Sequence, residues 1–267
     1  MKAIFAIAGN TLKEGLRSKL FYILLGIAFM FLLVARGCMS GNAQFNGKSL
    51  SPEEVSTFAT AVGFHVIIFW GLTLAGLLSM GSLVGDIETG IITVFISKPI
   101  SRFEYLMGKF IGVFSVVLVN MAILGLGFFF LAYLKSGAWM FSLFIALAIF
   151  SLNICLLISF IFFASLFSSR IIAMLMGIIG YVLSLVIDIF VYFDALRENI
   201  IGSKTSLIML NSLYFALPQW GSTQFYAASF IHDFFSQSLS FWPIPHTILY
   251  IMLIWLLMIL LFRRKEF

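Results

Sequence analysis

Three histidines, two cysteines and a Gly-Lys pair are the residues of this chain from which chemistry would first be sought. His65, His232 and His246 lie far apart in sequence. None sits in a His-Glu-x-x-His motif, and the chain has no Gly-x-Ser-x-Gly element and no paired intramembrane carboxylates. Cys38 and Cys155 lack the spacing of a metal or redox pair. Gly108-Lys109 ends as a phosphate-binding loop would, but that loop needs Gly-x-x-x-x-Gly-Lys-Ser/Thr. Here positions 103 and 110 are both phenylalanine, Phe103 and Phe110, so both anchors fail. No catalytic residue, metal ligand or nucleotide site is expected on this chain.

What polar chemistry there is gathers between Asp86 and Lys109. That stretch holds Asp86, Glu88, Lys98, Arg102, Glu104 and Lys109 between long apolar runs. Gly85 and Gly90 bracket the two acids where a span must end and the chain must turn. Ile91, Ile92, Phe95 and Ile96 form one helical stripe. Lys98-Pro99 closes that helix, because the residue before proline is pushed out of the α region. Ser101 and Glu104 have capping-box spacing, so a new helix is expected from Arg102. Helix, break, helix is a shape that takes mechanical load from a docked partner. It is equally the shape of a well-capped connector, and the residues alone leave both readings open.

The elements that must position this stretch are membrane spans. The 267-residue chain is 62% hydrophobic and 10% charged, against about 25% charged for a soluble domain. It lacks the polar surface to cover itself in water. The fold class is therefore an all-α polytopic membrane protein, with six transmembrane helices in one domain. The spans are expected at about 20–35, 61–85, 110–134, 138–167, 171–193 and 246–262. Residues 1–19 read as an amphipathic interfacial helix. Ile4, Phe5, Ala8, Leu12 and Leu16 share its apolar arc, and Lys2, Asn10, Lys13, Glu14 and Arg17 the opposite one. A cleaved signal peptide is not expected, since this basic segment leads into a full span without a small-residue cleavage motif.

Charge sets the topology. One side collects eleven of the sixteen cations: four in the N-terminal segment, three in the central loop, Arg170, and Arg263 to Lys265. The other side holds Arg36, Lys48, Lys135, Arg197 and Lys204. By the positive-inside rule both termini and the Asp86–Lys109 stretch are cytoplasmic, in the cytoplasmic (inner) membrane. The net charge of +5 then reports topology; nucleic acid is not an expected partner, and membrane lipid is.

Asp188 is the one acid clearly inside a span. Tyr181, Ser184, Asp188 and Tyr192 share a helical face, which Gly177 continues. Such a face lines a translocation path or a dimer contact, or else the acid is hydrated near the outer interface. Asn120 and Asn153 are expected to bond between helices. The 194–245 segment is an extracytoplasmic loop too apolar to float free. It should contain short helices, with Pro218, Trp220, Trp242, Pro243 and Pro245 anchoring it at the interface.

Architecture and motif together resemble the permease subunits of ABC-2-type ABC transporters. Glu88, Gly90, Pro99, Arg102, Gly108 and Lys109 follow in the order of that family's first cytoplasmic loop. The resemblance implies that Asp86, Glu88, Gly90, Pro99, Arg102, Glu104, Gly108 and Lys109 couple the spans to a cytoplasmic ATP-binding subunit, which the Ser168–Arg170 turn also contacts. It further implies a second permease copy or homologous permease, no cofactor on this chain, and ATP and Mg on the partner. It implies outward transport and short re-entrant helices before the last span. The spans lack a dense charged path, so a lipid-like, peptide or drug substrate, or a mechanical role, fits better than a small ion. A membrane scaffold without transport is the alternative, and an intramembrane enzyme is a weaker one.

Overall fold

A computed structural model describes residues 2–38, 44–45, 48–49, 52–88, 101–136, 141–192, 204–231 and 240–264. Apart from one two-residue strand pair, the elements are helices: α1 Lys2–Arg17, α2 Lys19–Cys38, α3 Pro52–Ser79, α4 Gly85–Glu88, α5 Arg102–Ser136, α6 Ser142–Ala164, α7 Arg170–Tyr192, α8 Lys204–Ala216, α9 Trp220–Ala228 and α10 Pro243–Arg264. The strands, β1 Gln44–Phe45 and β2 Lys48–Ser49, pair antiparallel between α2 and α3, with Gln44 opposite Ser49 and Phe45 opposite Lys48.

Among the described residues, five helices are each long and apolar enough to cross a membrane: α3, α5, α6, α7 and α10. The count becomes six when α1 and α2 are taken as one pair bent by 58°. Ser18 makes that bend. Its Oγ donates to the Gly15 carbonyl at 2.7 Å and accepts from the Phe21 amide at 3.2 Å, closing one helix and capping the next.

The bundle is arranged around α6. Buried residues make up 56% of its most apolar stretch, against 17% for α7 and 22% for α10. Its apolar side chains run on all sides, as in a helix without a solvent face. Phe150, Ile154, Ile158 and Phe162 are among its fully buried core residues. Phe64 from α3 meets Phe150 edge-on at 6.2 Å, and Phe110 from α5 meets Phe162 at 6.3 Å. The outward faces of α2, α7 and α10 carry exposed Ile, Leu, Met and Phe side chains, as hydrocarbon contact allows.

Two helices overshoot the membrane. Helix α3, the π-helical turn Met80–Val84 and α4 run end to end for 28, 5 and 4 residues. At about 1.5 Å per residue that is roughly 55 Å, against a hydrocarbon core of about 30 Å. The π-turn inserts an extra residue per turn just before Gly85-Asp86, and so resets the direction in which Asp86 points. Helix α5 has 35 residues and overshoots similarly. Helix α3 starts at Pro52 and runs through the second span without a break.

Two chain ends meet the Asp86 end of the bundle, called here the near end. Helix α1 packs along α5, and the last turn of α10 touches the start of α5. The expected interfacial helix is therefore a docked one. A Cβ on Gly108 would stand 2.7 Å from Ile7 Cβ, one on Gly112 2.5 Å from Thr11 Cβ, and one on Gly15 2.6 Å from Val116 Cγ2. These contacts advance by one turn on each helix, so α1 follows α5 side by side. The buried face is Ile7, Ala8, Thr11 and Gly15. The expected apolar arc overlaps it at Ala8, its Leu12 and Leu16 pack against the core at the edge, and Phe5 stays 71% exposed. Small residues let two backbones approach, so this side of α1 lies closest to α5.

Candidate functional site

At the near end, the sequence-predicted residues are brought together. Asp86 at the end of the second span accepts an ion-paired hydrogen bond from Lys109 Nζ at 2.7 Å, and a second from the Tyr105 hydroxyl. Lys109 and Tyr105 stand one turn apart on the same face of α5. The three side chains thus clasp the end of α3–α4 to the beginning of α5. Both charged side chains are largely withdrawn from solvent, at 10% for Lys109 and 14% for Asp86. Lys109 is thus half of an interhelix pair.

The capping box forms as its spacing predicts. Ser101 Oγ accepts from the Glu104 amide at 3.2 Å, and a Glu104 carboxylate oxygen accepts from the Ser101 amide at 3.2 Å and from its hydroxyl at 3.1 Å. This fixes where α5 starts and hence where Arg102 points. Its guanidinium donates to the carbonyl of Phe262 at 2.7 Å, 160 residues away in sequence. That carbonyl belongs to the last turn of α10, where helix carbonyls lack intrahelical donors. A cation there also suits the helix dipole. Arg102, Ser101, Phe103, Leu106, Ile259 and Phe262 line a cleft of about 180 Å³ at this junction.

Gly85 completes the convergence, since a Cβ there would come within 3.9 Å of the Arg170 guanidinium. The start of α7 therefore adjoins the start of α4. Gly108 serves α1 packing, a role its place in the motif does not reveal. Glu88 closes α4. Gly90 and Pro99 lie outside the described residues, as does the predicted helix over Ile91–Ile96.

At the far end the Asp188 stripe is gathered too, but around a partner within the chain. Asp188 is 1% exposed. Its carboxylate accepts from the Ser222 amide at 2.9 Å and from the Ser184 hydroxyl at 3.3 Å. Ser184 also donates to the Pro218 carbonyl at 2.5 Å and accepts from the Trp220 amide at 3.1 Å. The two side chains together cap the N-terminus of α9, where free amides and the positive dipole end favour an anion. Tyr181 donates to Gln224, and the Tyr192 ring meets Phe225 edge-on at 5.6 Å. The expected translocation or dimer face is thus occupied by α9 of the same chain. Asp188 is held by amides in place of the bulk water of the alternative reading.

Helix α9 is fastened on two further sides. Asn153 Nδ2 donates to the Trp220 carbonyl at 2.8 Å, and the hydroxyls of Thr223 and Thr247 meet at 3.0 Å. Trp220 packs between Phe160 and Tyr181, each about 6.0 Å away. The expected interfacial anchor is therefore a core residue, 1% exposed. Trp242, at 53% exposure, keeps the outward place expected of it. Asn153 bonds between helices as expected, whereas Asn120 Nδ2 is buried without an acceptor among the described residues.

The sequence offered little sign of Gly221. A Cβ there would lie 2.7 Å from Asp188 Oδ2, so only glycine lets the carboxylate reach the amides of α9. Gln224 and Thr247 were equally hard to single out, because each is one polar group in an apolar stretch. Among the described residues no group of three or more His, Cys, Asp or Glu is placed to hold a metal.

Helix α10 links the two regions. Arg102 holds its last turn, Thr247 ties its first turn to α9, and Trp255 Nε1 donates to Ser159 Oγ of α6 at 3.1 Å in between. The Tyr250 hydroxyl donates to the Ala216 carbonyl, fastening the end of α8 to the same helix.

Comparison with known proteins supports the same assignment. A family model described as ABC-2 family transporter protein matches residues 5–266. A protein of Stutzerimonas stutzeri described as "Probable ABC transporter permease protein NosY" is 28% identical over 130 residues. That match covers 48% of this chain and 44% of NosY, so the chain spans less than half the length of the curated relative it matches. With the family model covering nearly its whole length and its helices forming a multi-pass bundle, this chain belongs to the ABC-2 transporter family.

Proposed function

We propose that this chain is the membrane subunit of an ATP-driven ABC transporter, working with a separate ATP-binding subunit that carries ATP and Mg. The observation that carries this reading is the bond from Arg102 to the Phe262 carbonyl. The segment between Glu88 and Ser101 is bolted at both of its ends. The Asp86–Lys109–Tyr105 clasp holds one end against α5, and Arg102 holds the other to the last span. A partner that displaces residues 89–100 therefore displaces α3, α5 and α10 together. Helix α10 carries that movement to α9 through Thr247 and Thr223. In this reading α8 and α9 form a gate at the outer mouth, and transport runs outward.

The cation distribution supports a cytoplasmic placement of the near end and both termini, in the inner membrane. The family implies two permease chains per transporter. The permease named among its relatives supports a transport role over a scaffold.

The test is coexpression with an ATP-binding subunit, followed by reconstitution. Arg102→Ala, Glu88→Ala and Gly90→Pro should insert normally and still copurify the partner, yet lose most of the partner's permease-dependent hydrolysis. Undiminished hydrolysis in all three variants would overturn the reading. A partner that binds equally well and hydrolyses ATP equally with or without this chain would favour a scaffold.

A further inference from the structure

Helix α1 presents three faces: one docked on α5, an apolar edge whose Leu12 and Leu16 also pack against the core, and an exposed cationic row. Ile7, Ala8, Thr11 and Gly15 are buried against α5. Phe5 projects outward beside the half-buried Leu12 and Leu16. Beyond that apolar edge, at about 100° per residue, come the exposed side chains of Lys2, Lys13 and Arg17, with Asn10 and Glu14 further round. Lys13 and Arg17 are one turn apart on the same face. Lys19 lies just past the 58° bend at Ser18 and is also exposed. Leu20, Tyr22 and Ile23 of α2 follow it, each exposed by 46% or more. Three cations within seven residues thus flank an elbow whose adjoining surfaces are apolar.

We infer that the elbow between α1 and α2 is a binding site for an anionic phospholipid. Lys13, Arg17 and Lys19 hold the headgroup phosphate, and the Phe5, Leu20 and Ile23 surfaces accommodate its acyl chains. The charge of the cationic row and the adjoining apolar surfaces match that one class of molecule. A soluble acidic protein would satisfy the cations but not the apolar edge, and a zwitterionic lipid would do the reverse. Because α1 lies directly on Gly108 and Gly112, a lipid held here braces the beginning of α5 beside the Asp86–Lys109 clasp.

The test needs no ATP-binding partner, so its failure and that of the transporter reading are distinguishable. The purified full chain is placed in phosphatidylcholine vesicles with and without added phosphatidylglycerol, and lipid retained through detergent extraction is measured. Phosphatidylglycerol should be retained preferentially and should raise the midpoint of thermal unfolding. Retention should fall by about five-fold for each cation removed in Lys13→Gln, Arg17→Gln and Lys19→Gln. Lys13→Arg should keep it, which separates loss of charge from misfolding. Glycerol phosphate, the soluble headgroup alone, should give no such stabilisation. Equal retention of the two lipids, or a triple Gln variant that still prefers phosphatidylglycerol, would overturn the assignment. So would full stabilisation by glycerol phosphate, which would point to a site for a soluble anion.

Discussion

The ammonium of Lys109 stands 2.7 Å from the Asp86 carboxylate, joining the end of one span to the start of the next. Either charge alone would be costly in this place, because both side chains are mostly withdrawn from water. Replacing one partner leaves the other unpaired, at a cost of about 3–5 kcal/mol for a buried pair. Asp86→Ala should therefore lower the unfolding midpoint in mild detergent more than the double variant Asp86→Ala/Lys109→Met does. A double variant as unstable as the sum of its singles would show that the pair does not act as a unit.

Arg102 acts on α10 from the start of α5. Hydrogen bonds to charged groups contribute about 1.5–3 kcal/mol, and Arg102→Gln removes the cation that holds the Phe262 carbonyl. The expected outcome is faster amide exchange in the last turns of α10, with α6 unchanged. Unaltered exchange there would mean that the last span is held by packing alone.

Glycine at 221 is required by the carboxylate opposite it. Gly221→Ala puts a methyl group 2.7 Å from Asp188 Oδ2, and the backbone of α9 must retreat. The expected cost is about 1–3 kcal/mol, as for other overpacked sites. Limited proteolysis should show the α8–α9 segment cleaved earlier than in the parent chain. Asp188→Leu should act in the same direction, since it strips the amide of Ser222 of its acceptor. Wild-type cleavage rates in both variants would refute the clamp.

The α1–α5 contact can be broken without touching any charge. Gly112→Leu forces a side chain to within 3.0 Å of the Ala8 carbonyl oxygen, as well as into Thr11. Helix α1 should then detach, and amide exchange across Ile4–Leu16 should rise well before the spans open. Gly9→Leu, where a Cβ meets nothing within 4 Å, should leave the exchange of α1 unchanged. Equal behaviour of the two variants would contradict side-by-side docking.

Local rules carried a large part of this structure. The capping box at Ser101 and Glu104 was legible because its partners are three residues apart and need nothing from the rest of the fold. The spans were legible because a bilayer demands long apolar helices whatever their neighbours. The shared face of Tyr181, Ser184, Asp188 and Tyr192 was legible from the helical period alone. What that face meets was not. Helical periodicity shows that residues are aligned, but not whether lipid, a second chain or the chain's own α9 covers them.

The same division explains the motif near Lys109. Residue order along the chain placed Asp86, Arg102, Gly108 and Lys109 in one region and tied them to a family. It could not show that Arg102 reaches Phe262, because contacts between residues 160 positions apart leave no local signature. Nor could it show which side of α1 docks on α5, since the apolar arc and the buried face share Ala8. Small residues at Gly108 and Gly112 admit the face of Ile7, Thr11 and Gly15. In a membrane, apolar side chains gain little by leaving lipid, so closeness of backbone approach decides which faces meet. That depends on two surfaces at once, and only the assembled bundle holds both.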